Sequence, residues 1–184
     1  DEHRQARAQL MAELRAVKHP PNRLERQLER LSDVPSFARI WYQGVVLRRA
    51  VPFNGTAGID FLQMSRERVE VSLKNEKKVQ NHIGGIHASA MNLLAETATG
   101  MAVGMNVRDD CLRLAKELSM AFRKRATGAR KAVATLTAEQ RAAMQASDKG
   151  EVQVKVTVTD EAGVEPVECA FTWAWVPSSR PAKN

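Results

Sequence analysis

The apolar positions of this chain change period near residue 55. Before that point they recur every three to four residues, which is helical spacing. Leu10, Met11, Leu14 and Val17 mark a helix over Glu2 to Lys18, which Pro20-Pro21 ends. Leu24, Leu28 and Leu31 repeat the pattern weakly. Pro35 suits the first turn of a third helix carrying Phe37, Ile40, Trp41, Val45 and Leu47. Pro52 and an Asn54-Gly55 turn close this helical arm of residues 1–50.

After Gly55 the period becomes two. Val69, Val71 and Leu73 alternate with Glu70, Ser72 and Lys74, which predicts a half-buried strand, with an earlier one over Gly58 to Met64. Leu118, Met120 and Phe122 alternate in the same way, and Lys131 to Thr137 is rich in Ala, Val and Thr. Thr137 to Ala146 reads as a short helix or long loop. Val152, Val154, Val156 and Val158 give the cleanest strand, joined through Asp160-Glu161-Ala162-Gly163 to a partner over Val167 to Val176. Between these strands lies a helix of roughly His87 to Met105 that is apolar nearly all round, and such a helix is a buried one. The expected class is α+β, an antiparallel sheet wrapped around a long central helix, with a helical extension in front and a fraying tail at 177–184.

Composition narrows the partners. The 184 residues hold 28 Lys+Arg against 21 Asp+Glu, a net charge of +7. That excess admits nucleic acid, an anionic membrane surface or a phosphate-bearing small molecule. Aromatic residues are 5% of the chain with one Tyr, which is thin for base stacking, so nucleic acid is not expected. Cys111 and Cys169 show no CxxC spacing and there are four His, so no Cys-rich metal site is expected. Two cysteines fit a reducing compartment, with a single disulfide as the alternative. No signal-peptide pattern opens the chain, and the apolar stretch Ile83 to Val107 is broken by His87, Asn92 and Glu96. A cytoplasmic protein without a membrane span is therefore expected.

The buried helix carries a polar stripe: Ser89, Asn92 and Glu96 fall three and four residues apart, continued by Thr99 and Gly100. A buried carboxylate needs a reason, and one reason is a raised pKa suited to a general base. The alternative is that the stripe faces solvent or a subunit and Glu96 is merely hydrogen-bonded. Ahead of the helix runs Asn81-His82-Ile83-Gly84-Gly85-Ile86-His87, where the glycines let a ligand approach main-chain atoms. The helix start behind it offers unpaired N–H groups to a developing oxyanion. Equally, Asn81 and His87 are of the type that satisfies local backbone groups.

The run Asn81-x-x-Gly84-x-x-His87, with Glu96 nine residues beyond the His, resembles the hotdog-fold acyl-CoA thioesterases of the phenylacetate-pathway (PaaI-like) type. The likeness covers about Val51 to Val176. The Pro52 to Gly58 segment and the helical arm are more like a poorly characterised branch of that superfamily. The resemblance implies a hotdog domain over 51–176 and a homodimer or dimer of dimers. It implies Glu96 as base or nucleophile, Asn81 positioning water or thioester, and the Ala88 N–H polarising the carbonyl beside His87. Asn81 and its loop would come from one subunit and Glu96 from the other. Ala88-Ser89 stands where the family has Gly-Gly, and Leu114-Ala115-Lys116 lacks the hydroxyl some relatives carry.

Charge bears on the ligand. Residues 108–150 hold ten basic and five acidic side chains, including Arg123-Lys124-Arg125 and Arg130-Lys131 at the end of one strand and the start of the next. A basic rim of this kind attracts the phosphates of coenzyme A, which enters as part of the substrate rather than as a cofactor; an ordinary charged hairpin tip is the alternative. The expected substrate-binding set is Gly84, Gly85, Ser89, Asn92, Arg123 and Arg125. The expected activity is acyl-thioester hydrolysis, against a non-catalytic hotdog module that binds acyl chains or acyl-CoA.

Overall fold

A 17-residue helix, Ala88–Gly104 (α4), lies at the centre of the protein, and twelve of its residues are buried. In the computed structural model, which describes residues 20–31 and 33–178, three short helices precede it. These are α1 (Arg23–Glu29), α2 (Ser36–Ala50) and α3 (Pro52–Ala57). The strands are β1 (Asp60–Met64), β2 (Arg68–Leu73), β3 (Cys111–Phe122), β4 (Arg130–Thr135), β5 (Gly150–Asp160) and β6 (Val167–Pro177), with α5 (Ala138–Ala146) between β4 and β5. All pairings are antiparallel, in the order β1-β2-β4-β5-β6-β3. β5 is shared, its Lys155–Asp160 half against β4 and its Gly150–Val154 half against β6, so the sheet curls around the helix.

The alternation read from the sequence is the alternation that faces α4. Val69, Val71 and Leu73 of β2, Ala132 and Ala134 of β4, Val154 and Val158 of β5, and Phe171 of β6 are at most 2% exposed. Each large apolar side chain so buried contributes about 1.5–3 kcal/mol. Small residues set the closest approaches. At Gly100 an added Cβ would stand 2.7 Å from Cη2 and Cζ2 of Trp173 on β6. Trp173 has little freedom to retreat, since its Nε1–H donates to Thr99 Oγ1 at 2.9 Å. Gly100→Ala is expected to lower the unfolding free energy by about 1–3 kcal/mol, read as a fall in denaturant midpoint at unchanged slope.

Several expectations change. The helix over Glu2 to Lys18 and the tail beyond Ser178 lie outside the described residues. Asn54-Gly55 is not a turn but part of α3, which Pro52 starts and Gly58 ends in the left-handed region (φ 81°). Asn54 Oδ1 is buried there and accepts from Thr97 Oγ1 at 3.0 Å, which ties α3 to α4. Thr137 to Ala146 resolves as the helix α5, closed at its start by a Thr137/Gln140 capping box. The disulfide alternative fails: Cys111 stands opposite Pro177 while Cys169 stands opposite Met120, about 30 Å along the strand.

The helical arm is stapled to the far end of α4. Asn22 Oδ1 caps α1 by accepting from the Glu25 N–H at 3.0 Å. Its Nδ2 donates to the carbonyls of Gly104 (2.8 Å) and Val107 (2.9 Å). Arg66 then closes a 2.6 Å ion pair with Glu25.

Candidate active site

One cavity opens at the start of α4 and another along its second half, and Asn81 and Glu96 fall in different ones. The first, about 580 Å³, lies at the helix start and is lined by Asn81, Gly84, Gly85, Ala88, Met91, Phe122, Lys124, Arg125 and Arg130 among others. The loop is shaped by Asn81, whose Oδ1 accepts from the N–H groups of Ile83 (3.0 Å) and Gly85 (3.1 Å). Its own N–H donates to the Gly85 carbonyl at 2.7 Å. Gly84 takes φ 78°, a conformation that favours glycine. Asn81 Nδ2 has no acceptor among the described residues and is free to donate to a ligand.

His87 is the N-cap of α4. Its Nδ1 accepts from the Ser89 N–H at 3.1 Å, and its backbone N–H donates to the Val79 carbonyl at 2.8 Å. The His87 ring therefore fixes where the helix begins. The Ala88 N–H has no acceptor among the described residues and sits at the positive end of the helix. Ser89 opens into a separate small cavity of about 200 Å³ with Phe53, Ala90 and Leu93. Asn92 is half-buried, and its side chain makes no hydrogen bond among the described residues.

The basic rim divides as well. Lys124 and Arg125 line the first cavity, whereas Arg123 lies outside it, ion-paired with Glu168 on β6 at 2.9 Å. Arg130, from the second half of the same basic run, is only 3% exposed and lines the same cavity. Its Nη1 donates to the carbonyls of Thr127 and Gly128, and its buried Nε has no partner. Burial pushes its pKa down, opposed by the charge of Asp160. Asp160 in turn accepts from the Thr127 N–H, pinning the 126–129 loop.

The second cavity, about 540 Å³, contains Glu96 together with Asn22, Gly104, Leu112, Arg113 and Trp173. Eight residues of helix between Ala88 and Glu96 amount to about 12 Å of rise, so Glu96 does not reach the Asn81 loop of its own subunit. Thr99 Oγ1 is bonded to the carbonyls of Ala95 (3.0 Å) and Glu96 (3.1 Å) and holds the turn carrying the carboxylate. Burial pushes the Glu96 pKa up, opposed by the positive charge of Arg113.

Arg113 is a residue that sequence reasoning missed. Its guanidinium rests on Gly104, where an added Cβ would come within 2.8 Å of Nη1, and it forms no ion pair or hydrogen bond among the described residues. The signal was present: Arg113 is the single charge in Cys111-Leu112-Arg113-Leu114-Ala115, on the inward register with Ala115. Among the described residues no group of three or more His, Cys, Asp or Glu is placed to hold a metal ion. Nor is any helix among them long and apolar enough to cross a membrane.

The raised Glu96 pKa has a signed consequence for stability. The folded protein retains this proton at a pH where the unfolded chain has released it. The stabilisation is thus complete below the ordinary carboxylate pKa and is lost as pH rises through the folded value. Glu96→Gln is accordingly expected to raise the melting temperature at neutral pH and to leave it unchanged near pH 4, as followed by circular dichroism.

No curated protein sequence matches the chain. Among solved structures it is similar to a Pseudomonas aeruginosa protein of unknown function, named a probable thioesterase. That one is 23% identical with a TM-score of 0.65, covering 71% of this chain and 91% of the other. A mutant thioesterase from the same organism is 19% identical, with a TM-score of 0.61 and coverage of 74% and 94%. A thioesterase from Haemophilus influenzae is 13% identical, with a TM-score of 0.57 and coverage of 71% and 87%. These likenesses identify the sheet wrapped on α4 as a hotdog fold. The model of one family, described as a domain of unknown function (DUF4442), matches residues 40–176. The chain belongs to the DUF4442 family and carries it on a hotdog fold.

Proposed function

We propose that the protein is an acyl-thioester hydrolase, with acyl-CoA as its substrate class, acting as a homodimer. The observation that carries this reading is the split of the site. Hydrogen-bond donors and cations lie at the start of α4, and a desolvated carboxylate lies about 12 Å further along, at its midpoint, in a different cavity. The first cavity has no carboxylate in its wall, and the second has neither the Asn81 amide nor the N–H groups of the helix start. β3 ends the sheet with an unpaired edge, and its Leu118 and Phe122, on the register of buried Phe171 and Val167, remain about half exposed. Antiparallel pairing of two β3 edges about a two-fold axis covers these residues. The same apposition carries Glu96 of one subunit toward the Asn81 loop of the other.

In the joined site, ionised Glu96 takes a proton from water as its oxygen attacks the thioester carbonyl carbon. The carbonyl oxygen gains the negative charge and accepts from the Ala88 N–H, with Asn81 Nδ2 orienting the thioester. Collapse re-forms the carbonyl and breaks the C–S bond. The leaving sulfur takes the proton from Glu96, and the products are a carboxylic acid and a thiol. Lys124 and Arg125 supply the charge that coenzyme A phosphates require, and Arg130 lends its positive field from beneath.

Thiol release measured over acyl-CoAs of increasing length tests this. Turnover of at least one member, lost in Glu96→Gln, supports it. Tight acyl-CoA binding with no thiol released from any member overturns it in favour of a binding module.

A further inference from the structure

The N-terminal arm displays an inverted helix. α2 buries Gln43 and Gly44 along with Leu47, while Phe37 is 77% exposed, Trp41 68% and Tyr42 48%. Phe53, at the start of α3, is 61% exposed. Four of the chain's nine aromatic residues are thus gathered in water on two consecutive helices, although aromatics are scarce in the sequence. Helical spacing puts Phe37, Trp41, Val45, Tyr42 and Arg49 on the outer half of α2. That half bears no acid.

Charge decides what such a face fits. Residues 36–57 contain three arginines, Arg39, Arg48 and Arg49, and no Asp or Glu. Arg48 is held by Asp60 at 2.7 Å, and Arg49 forms no ion pair among the described residues. Trp and Tyr with their polar edges, flanked by arginine, match the headgroup level of a bilayer. There the rings enter the apolar boundary and the guanidinium meets phosphate. At 15 residues α2 is too short to cross a bilayer and suits lying on one. It packs on β1, the end of the sheet opposite β3, and so stays free when two β3 edges pair.

We propose that the outer face of α2, with Phe53 of α3, docks on the surface of an anionic phospholipid bilayer. Phe53 also lines the small cavity that holds His87, Ser89 and Leu93 at the start of α4, so the docked face adjoins the site end of that helix. The proposal stands whether or not the protein hydrolyses thioesters.

Co-sedimentation of the full chain with phosphatidylcholine vesicles, with and without phosphatidylglycerol, tests it. Binding is expected with phosphatidylglycerol only, weakening steeply with added salt. A Phe37→Ser/Trp41→Ser variant, altered only at exposed positions, is expected to bind about tenfold more weakly at an unchanged melting temperature. Arg49→Glu is expected to weaken binding without removing any aromatic surface. Failure to sediment with phosphatidylglycerol vesicles overturns the proposal, as does binding indifferent to the double substitution. Shielding of Trp41 from an aqueous quencher without lipid, with Trp41→Phe identifying its signal, also overturns it. In that case a second copy or another part of the chain already covers the face.

Discussion

Glu96→Gln is expected to slow acyl-thioester hydrolysis by about 10²–10⁴-fold, the range a positioned general base contributes. The side chain keeps its size and its place between the Thr99-braced turn and Arg113, so the loss is chemical rather than structural. Substrate affinity, read from acyl-CoA binding to the inactive variant, is expected to stay close to that of the parent. The pH profile carries a second signature. Burial holds the Glu96 pKa above the ordinary carboxylate value, so the rate rises with pH through that raised value. Arg113 opposes the shift. Of the other charges lining the cavity, Arg108 is engaged by Asp110 and Asp109 by Arg26, while Arg23 adds a further positive charge at its wall. Arg113→Gln is therefore expected to move the acid limb to higher pH, with Arg113→Lys restoring most of it. An unmoved limb would show that Glu96 does not set it.

Subunit complementation is the second large effect. If each site draws Asn81 from one subunit and Glu96 from the other, Asn81→Ala and Glu96→Ala are each nearly inactive as homodimers. Mixed and reassociated, half the dimers are hybrids, and each hybrid retains one intact site. About a quarter of the parent activity is then expected to return. No recovery on mixing would place both groups in one subunit, which the length of α4 opposes. On the same proposal, Phe122→Lys on the β3 edge is expected to yield monomers by sedimentation and to abolish the activity with them, since a site shared between subunits is then never assembled.

Much of this was legible in the residues. The period of two in Val69, Val71 and Leu73 and in the Val152 to Val158 run specified which faces bury. The apolar circumference of Ala88–Gly104 specified a helix at the centre. Asn81 and the two glycines marked the loop, and His87 marked the helix start. Less legible was the division of function among the cations. Arg123, Arg125 and Arg130 look alike in sequence. Glu168 neutralises the first, the cavity wall exposes the second, and burial makes a scaffold of the third.

By itself the sequence determined the local geometry of the chain and the inward side of each element, because periodicity is a property of neighbouring residues. It put Ser89, Asn92 and Glu96 on one stripe of α4. Only the tertiary structure decided which part of that stripe stays open. Trp173 and Arg113 cover its Gly100 and Gly104 end, and both arrive from strands later in the chain. It also decided the company Glu96 keeps, with a wall of its cavity built from Asn22 in the arm, more than seventy residues earlier. The raised carboxylate and its opposing guanidinium are set by contacts between remote segments. The spacing of residues along the chain does not encode such contacts.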